Sequence, residues 1–130
     1  MGRVLVIDDE AMIRGIFEDV LTIGDRFVVG IGSSGNDLRE LLAAHDDVVA
    51  IICDQTLRGE TGIAIHATIE PILRARRIAF VLVHGGGSKL RENLPNGYFA
   101  AHRIIEVLKP MSHIMDIIGI VDREVAQLRG

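Results

Sequence analysis

The chain has 130 residues, 48% apolar and 25% charged, the size and make-up of one globular domain, which excludes an intrinsically disordered segment. Its formal charge of −4 excludes a global field that draws in nucleic acid or an anionic membrane surface. A single cysteine, Cys53, excludes an intramolecular disulfide and a cysteine-based zinc site, and no apolar run approaches the roughly 20 residues of a membrane span.

The first apolar run, Arg3 to Ile7, stops on Asp8-Asp9-Glu10. After it Met12, Ile13, Ile16, Phe17, Val20 and Leu21 recur at three- and four-residue spacing, which predicts an amphipathic helix. A second strand is expected over Phe27 to Ile31, with Ser34 as the cap of a helix carrying Leu38, Leu41 and Leu42. The third run, Val48 to Cys53, stops on Asp54, and Cys53 at its end reads as a small buried hydrophobe. Ile63 to Leu73 is helical in pattern, with Pro71 expected to kink it or end its regular hydrogen bonding. Arg74, Arg76 and Arg77 then read as a solvated helix end.

A fourth strand over Ile78 to Val83 leads into His84 and three glycines, Gly85 to Gly87. Lys89 to Leu94 can form only a short fourth helix, expected to be displaced or mobile, and Pro95-Asn96-Gly97 reads as a turn. The fifth strand, Arg103 to Leu108, is interrupted by Glu106 and ends on Lys109-Pro110. Ile114, Met115, Ile117, Ile118, Val121 and Val125 mark the apolar face of a last helix. His45, His66, His102 and His113 show no metal-ligand spacing and read as surface or partly buried structural residues, and Met12, Met111 and Met115 as packing residues.

Strand and helix thus alternate five times, which implies one doubly wound α/β domain over residues 1–130 with helices on both faces of a parallel sheet. In such a sheet Asp8, Asp9, Asp54 and Lys109 meet at the carboxyl edge, where open α/β folds bind ligands. Carboxylates from two strand ends suit a hard divalent cation such as Mg²⁺. Two carboxylates about 4 Å apart repel by roughly 4 kcal/mol at an effective dielectric of 20, so a metal or Lys109 must offset them.

These residues resemble the receiver domains of two-component response regulators, CheY-like single-domain regulators in particular, over essentially the whole chain. Val4-Leu5-Val6-Ile7-Asp8-Asp9-Glu10 is similar to the family's first strand and acid pair. Asp54-Gln55-Thr56-Leu57-Arg58-Gly59-Glu60-Thr61-Gly62 is similar to its phosphoacceptor loop, with Leu57 and Gly62 in place and Arg58 where proline is commoner. Lys109-Pro110 is similar to its lysine and following proline, usually joined by a cis bond.

The resemblance implies a flavodoxin-like sheet of order 2-1-3-4-5 and phosphoryl transfer to Asp54 from a histidine kinase or histidine phosphotransfer protein. It implies Mg²⁺ held by Asp8, Asp9, Asp54 and the backbone carbonyl of Thr56, with Lys109 pairing the phosphoryl oxygens. It further implies a phosphoacceptor, not an enzyme acting on a separate substrate, although one that assists its own phosphorylation and dephosphorylation. The expected setting is the cytoplasm, as a monomer or weak homodimer signalling to another protein, with no output domain, direct nucleic-acid contact or membrane contact. Docking is expected on the face of the fourth helix, fifth strand and last helix.

Two positions depart from the family pattern. His84, followed by Gly85, stands where Thr or Ser usually ends the fourth strand, and Glu106 stands where a switching Tyr or Phe usually precedes the lysine. His84, with the backbone of Gly85, can contact the phosphoryl group through an imidazole N–H and give the switch a pH dependence, or it can be a bystander pointing to solvent. The alternative function is therefore an atypical receiver-like interaction module that works partly or wholly without phosphorylation. A third reading, a small flavodoxin-like enzyme or nucleotide binder, rests on Gly30-Ile31-Gly32-Ser33-Ser34-Gly35. That dinucleotide-like run follows the second strand instead of the first. His84-Gly85-Gly86-Gly87 matches an esterase oxyanion loop, but no Gly-x-Ser-x-Gly elbow accompanies it.

Overall fold

The computed structural model describes residues 2–85, 90, 92–109 and 114–130. In chain order its elements are β1 (Arg3–Ile7), α1 (Ala11–Leu21), a 3-10 turn (Ile23–Asp25), β2 (Val28–Gly32), α2 (Gly35–Ala44), β3 (Val48–Asp54), β4 (Thr56–Leu57), β5 (Glu60–Thr61), α3 (Gly62–Arg76), β6 (Ala79–His84), α4 (Tyr98–Ala101), β7 (Ile104–Leu108) and α5 (Asp116–Arg129). Five strands form one parallel sheet in the order β2-β1-β3-β6-β7, while β4 and β5 pair as a separate antiparallel ribbon. Leaving out that ribbon, the strand order is the flavodoxin-like 2-1-3-4-5.

Alternation along the strands builds two cores. In β1, Leu5 and Ile7 face one side with Leu38 of α2, Ile65 of α3 and Phe99 of α4. Val4 and Val6 face the other, with Phe17 of α1 and Val121 of α5. β3 and β6 are buried at every position, which is why their sequences are unbroken apolar runs up to the terminal Asp54 and His84. The β2 edge is different: Val28 and Ile31 are exposed, so that apolar run is not covered on both faces.

Several boundaries move for local reasons. Arg103 sits at φ +54°, outside extended backbone, so β7 starts at Ile104. β2 starts after Phe27, which stays buried beyond the strand end. α3 continues unbroken past Pro71 to Arg76, against expectation. Pro71 lies on the exposed face, so the carbonyl deprived of its usual partner there can bond water. Ser34 caps α2 as expected, accepting the Asp37 N–H at 3.1 Å. Tyr98 N–H bonds the Pro95 carbonyl at 3.1 Å, closing the expected turn, and the chain runs directly into α4, a helical turn the sequence pattern did not announce.

Met12 and Met115 are exposed rather than packed. Met12 lies in the first turn of α1 and Met115 precedes α5, whose buried face starts at Ile117. Within the expected Lys89 to Leu94 helix, Leu90 and Glu92 are helical. The expectations for Gly86, Gly87, Lys89, Pro110 and its peptide bond, Met111 and His113 lie outside the described residues.

Candidate functional site

The sheet order explains why the charged residues converge. β3 lies between β1 and β6, so Asp54 at its end is flanked by Asp8, just beyond β1, and by the end of β6. Both carboxylates are buried, Asp54 at 5% and Asp8 at 2% exposure. Burial pushes the Asp8 carboxyl above the usual carboxylate range. The Glu10 N–H, 2.8 Å from Asp8 Oδ1, works in the opposite direction, the charge of Asp54 pushes it further up, and Lys109 draws it down. The Arg14 guanidinium bonds the Asp8 carbonyl at 2.6 Å, fixing the acidic turn to α1.

Lys109 follows β7 and reaches past β6, its Nζ lying 3.2 Å from Asp54 Oδ2. Its backbone N–H is anchored to the His84 carbonyl at 2.9 Å, and the position of a Cβ on Gly85 falls 3.7 Å from its side chain. A compact ammonium beside a buried carboxylate supplies the charge neutralisation expected there.

The loop after Asp54 is shaped by the ribbon. Gly59, at φ +76°, turns β4 into β5 in a conformation that disfavours side chains. At Gly62 the chain passes so close that a Cβ would stand 2.6 Å from Leu82 Cδ1 and 2.7 Å from the Asp54 carbonyl oxygen. Gln55 holds this approach: its N–H bonds the Val83 carbonyl, its carbonyl accepts Gly62 N–H, and its Oε1 accepts Ile63 N–H, each at 2.9 Å. Thr56, at the start of β4, points its N–H towards Asp54 Oδ1 at 3.4 Å.

Ligand oxygens of Asp8, Asp9 and Glu10 lie within 4.8 Å of one another. Asp8, Asp9 and Asp54 are expected metal ligands, whereas Glu10 is not among them. Its only signal was being the third consecutive acid. All three are hard oxygen donors of the kind Mg²⁺ takes, and a cation there relieves the penalty that burial and Asp54 impose on Asp8. The donor set therefore fits such an ion.

His84 does not point to solvent. Its side chain is 3% exposed, and its Nε2 donates to Glu106 Oε2 at 2.8 Å, with Glu106 itself 15% exposed. The two departures from the family pattern are thus one contact. Parallel pairing of β6 with β7 sets Leu82 against Glu106 and His84 against Leu108, so His84 and Glu106 are diagonal neighbours. An ionised carboxylate only accepts, so Nε2 carries the hydrogen. Nδ1 is buried with no hydrogen-bond partner among the described residues.

The glycine-rich loop after β2 already has carboxylates on its donors. Ser33 N–H and Oγ bond Asp37 Oδ2 at 2.8 and 3.1 Å, and Gly35 N–H bonds Glu60 Oε2 at 3.0 Å, so the α2 N-terminus is already served by carboxylates. His45 lies at the end of α2, partly exposed, while His66 is buried and His102 bonds Glu70.

No known family profile matches the chain, and no curated protein matches it in sequence. Its likeness to solved structures is extensive. A sensor protein from Polaromonas sp. JS666 superposes with TM-score 0.82 at 17% identity, covering 98% of each chain. A response regulator receiver domain protein from Clostridium thermocellum gives 0.79 at 21% identity, covering 98% of this chain and 96% of that one. The chemotaxis response regulator CheY4 of Vibrio cholerae gives 0.77 at 16% identity, covering 95% and 98% respectively. At these identities the likeness establishes a receiver-domain fold over nearly the whole chain.

Proposed function

We propose that the chain is a response regulator receiver that accepts a phosphoryl group on Asp54 from the phosphohistidine of a histidine kinase or phosphotransfer protein. The observation that carries this reading is the buried Asp54 carboxylate with Lys109 Nζ 3.2 Å from Oδ2, beside the Asp8-Asp9-Glu10 turn. Phosphoryl transfer needs in-line positioning and charge neutralisation more than covalent help from side chains, and Lys109 beside Asp54 supports the second of these. An Asp54 oxygen bonds phosphorus as the phosphorus–nitrogen bond of the donor breaks, and the donor imidazole leaves. Lys109 moves its pairing from the carboxylate to the new phosphoryl oxygens.

Asp8 and Asp9, with Asp54 and the Thr56 carbonyl, are the groups that would hold Mg²⁺, and Glu10 stands close enough to join them. When bound, the ion neutralises charge on the phosphoryl oxygens. The protein's own part is to bury Asp8 and Asp54, fix the loop through Gly62 and Gln55, and aim Lys109. In this reading the domain is a phosphoacceptor that helps its own phosphorylation and dephosphorylation, and it signals through protein contacts.

His84 and Glu106 replace the hydroxyl and aromatic relay with a buried hydrogen bond. With Nε2 donating to Glu106, His84 can meet a phosphoryl oxygen through Nδ1 only when that nitrogen also carries a hydrogen. The pair then bridges the phosphoryl group and the β7 side of the sheet. This links the receiving edge to the face of α4, β7 and α5, where we place the docking of the target.

A small phosphodonor tests the reading. With Mg²⁺ the protein is expected to gain one acid-stable, base-labile phosphoryl group, and chelation of the metal should abolish the gain. Failure to label with Mg²⁺ present contradicts the proposal and leaves an interaction module read without phosphate.

A further inference from the structure

At the opposite, amino-terminal edge of the sheet lies a cavity of about 450 Å³, walled by the end of α3, the start of β6, the α4–β7 connection and the end of α5. Its size is within the roughly 300–1,000 Å³ of small-molecule sites. Leu73, Ile78 and Phe80 supply buried apolar lining. The charged groups around it differ in what they already do.

Arg129 is committed to the carbonyls of Arg76, Arg77 and Val48 at 3.0 to 3.2 Å, closing the end of α3. Arg74 pairs with Glu70 at 3.2 Å, and His102 Nδ1 bonds the same Glu70 oxygen at 2.8 Å, so that single acid is matched. Arg77 and Arg103 also line the cavity, and neither side chain has a partner among the described residues. Both hold positive φ, 54° each, a conformation that non-glycine residues keep only when their surroundings impose it. His66, 1% exposed, also lines the cavity, and its Nδ1 is buried with no hydrogen-bond partner among the described residues.

We propose that this cavity binds a small phosphate monoester of up to mononucleotide size, with Arg77 and Arg103 meeting the phosphate and Leu73, Ile78 and Phe80 seating the organic body. Two uncompensated guanidinium groups match the charge of a phosphate dianion, and arginine's fork suits its oxygens. The surroundings strengthen the contrast within the molecule: the carboxyl edge is acidic in a chain of net charge −4, while this edge gathers arginine. Occupancy would bear on His102, whose ring packs on Tyr98 of α4 at 4.3 Å between centroids, so the ligand has a path to the α4 face.

The unphosphorylated protein without Mg²⁺ provides the test, so its outcome does not depend on Asp54 accepting phosphate. AMP and inorganic phosphate are titrated separately by calorimetry and by NMR of the imidazole and backbone amide resonances. Saturable AMP binding with shifts at His66, His102 and Arg103, inorganic phosphate binding the same residues more weakly, supports the proposal. Arg77→Gln and Arg103→Gln, each at an exposed side chain, should weaken AMP binding by about tenfold while leaving thermal midpoint and circular dichroism unchanged. Absence of saturable binding by AMP overturns it, as do shifts confined to the Asp54 loop or affinities indifferent to both substitutions.

Discussion

Asp54 and Lys109 matter because their environment leaves each the other's best partner, and the same environmental logic sets the behaviour of residues around them. Cys53, one residue before Asp54 and fully buried, has its thiol pushed well above the ordinary range by burial first and by the charge of Asp54 second. It is expected to resist thiol-specific alkylation in the folded protein and to react fully once denatured, which a mass-spectrometric time course checks.

The His84–Glu106 contact gives a second residue-scale prediction. Glu106→Ala takes the carboxylate away from the buried His84 Nε2 and His84→Ala removes the same bond from the other side, and leaving the imidazole unsatisfied should cost about 1–3 kcal/mol of folding stability. The double substitution should cost less than the sum, because the two groups share one bond. Denaturant melts of the four proteins measure this coupling, and additive losses would show that the contact contributes little.

Glu70 supplies the pH dependence. Its bond from His102 first, and that from Arg74 after it, hold its carboxyl below the ordinary glutamate value of 4.5. A carboxyl lowered by folding contributes stability that is present above its unfolded value and lost as pH falls through its folded one. Glu70→Gln should therefore lower the thermal midpoint at neutral pH, and the gap should close as the pH drops below about 4.5.

At the scale of elements, the loop after Asp54 depends on how closely α3 starts against β3. Gly62→Ala places a methyl group 2.6 Å from Leu82 Cδ1 and 2.7 Å from a backbone oxygen that cannot step aside. We expect a loss of about 1–3 kcal/mol in denaturant melts, with phosphoryl acceptance reduced because Asp54 is shifted. Unchanged stability would mean that the loop relaxes freely.

Strands and most helices were legible in the sequence because burial on both faces leaves unbroken apolar runs in β3 and β6, and one-sided burial leaves stripes in α1 and α5. The misses have equally local causes. Pro71 is expected to kink its helix or end the regular hydrogen bonding, yet helix continuity depends on whether the orphaned carbonyl reaches water, which the sequence does not record. The β4–β5 ribbon is two residues a side, too short for alternation to appear. Among the site residues Asp8, Asp54 and Lys109 were visible as charges ending apolar runs, because a charge at a strand end breaks a pattern. The joining of His84 to Glu106 was not, since it depends on parallel register across 22 residues of chain.

For the whole molecule, the sheet separates two chemistries. Its carboxyl edge buries carboxylates beside one lysine, and its amino edge gathers arginines around a cavity. Among the described residues no helix is long and apolar enough to cross a membrane. The receiver-domain fold brings Asp54, Lys109 and the acidic turn to one edge, which is the arrangement the proposed phosphoryl acceptance requires. The His84–Glu106 hydrogen bond ties the end of β6 to β7, the route by which the proposal carries the event to the β7 face.

The most direct measurement is mass spectrometry of the intact protein and its peptides after exposure to a small phosphodonor with Mg²⁺, for the wild type and for Asp54→Asn. One added phosphoryl group, mapped to the peptide containing Asp54 and missing from the Asp54→Asn protein, is the predicted result. A wild type that gains nothing, or a gain that persists when Asp54 is replaced, would contradict the account.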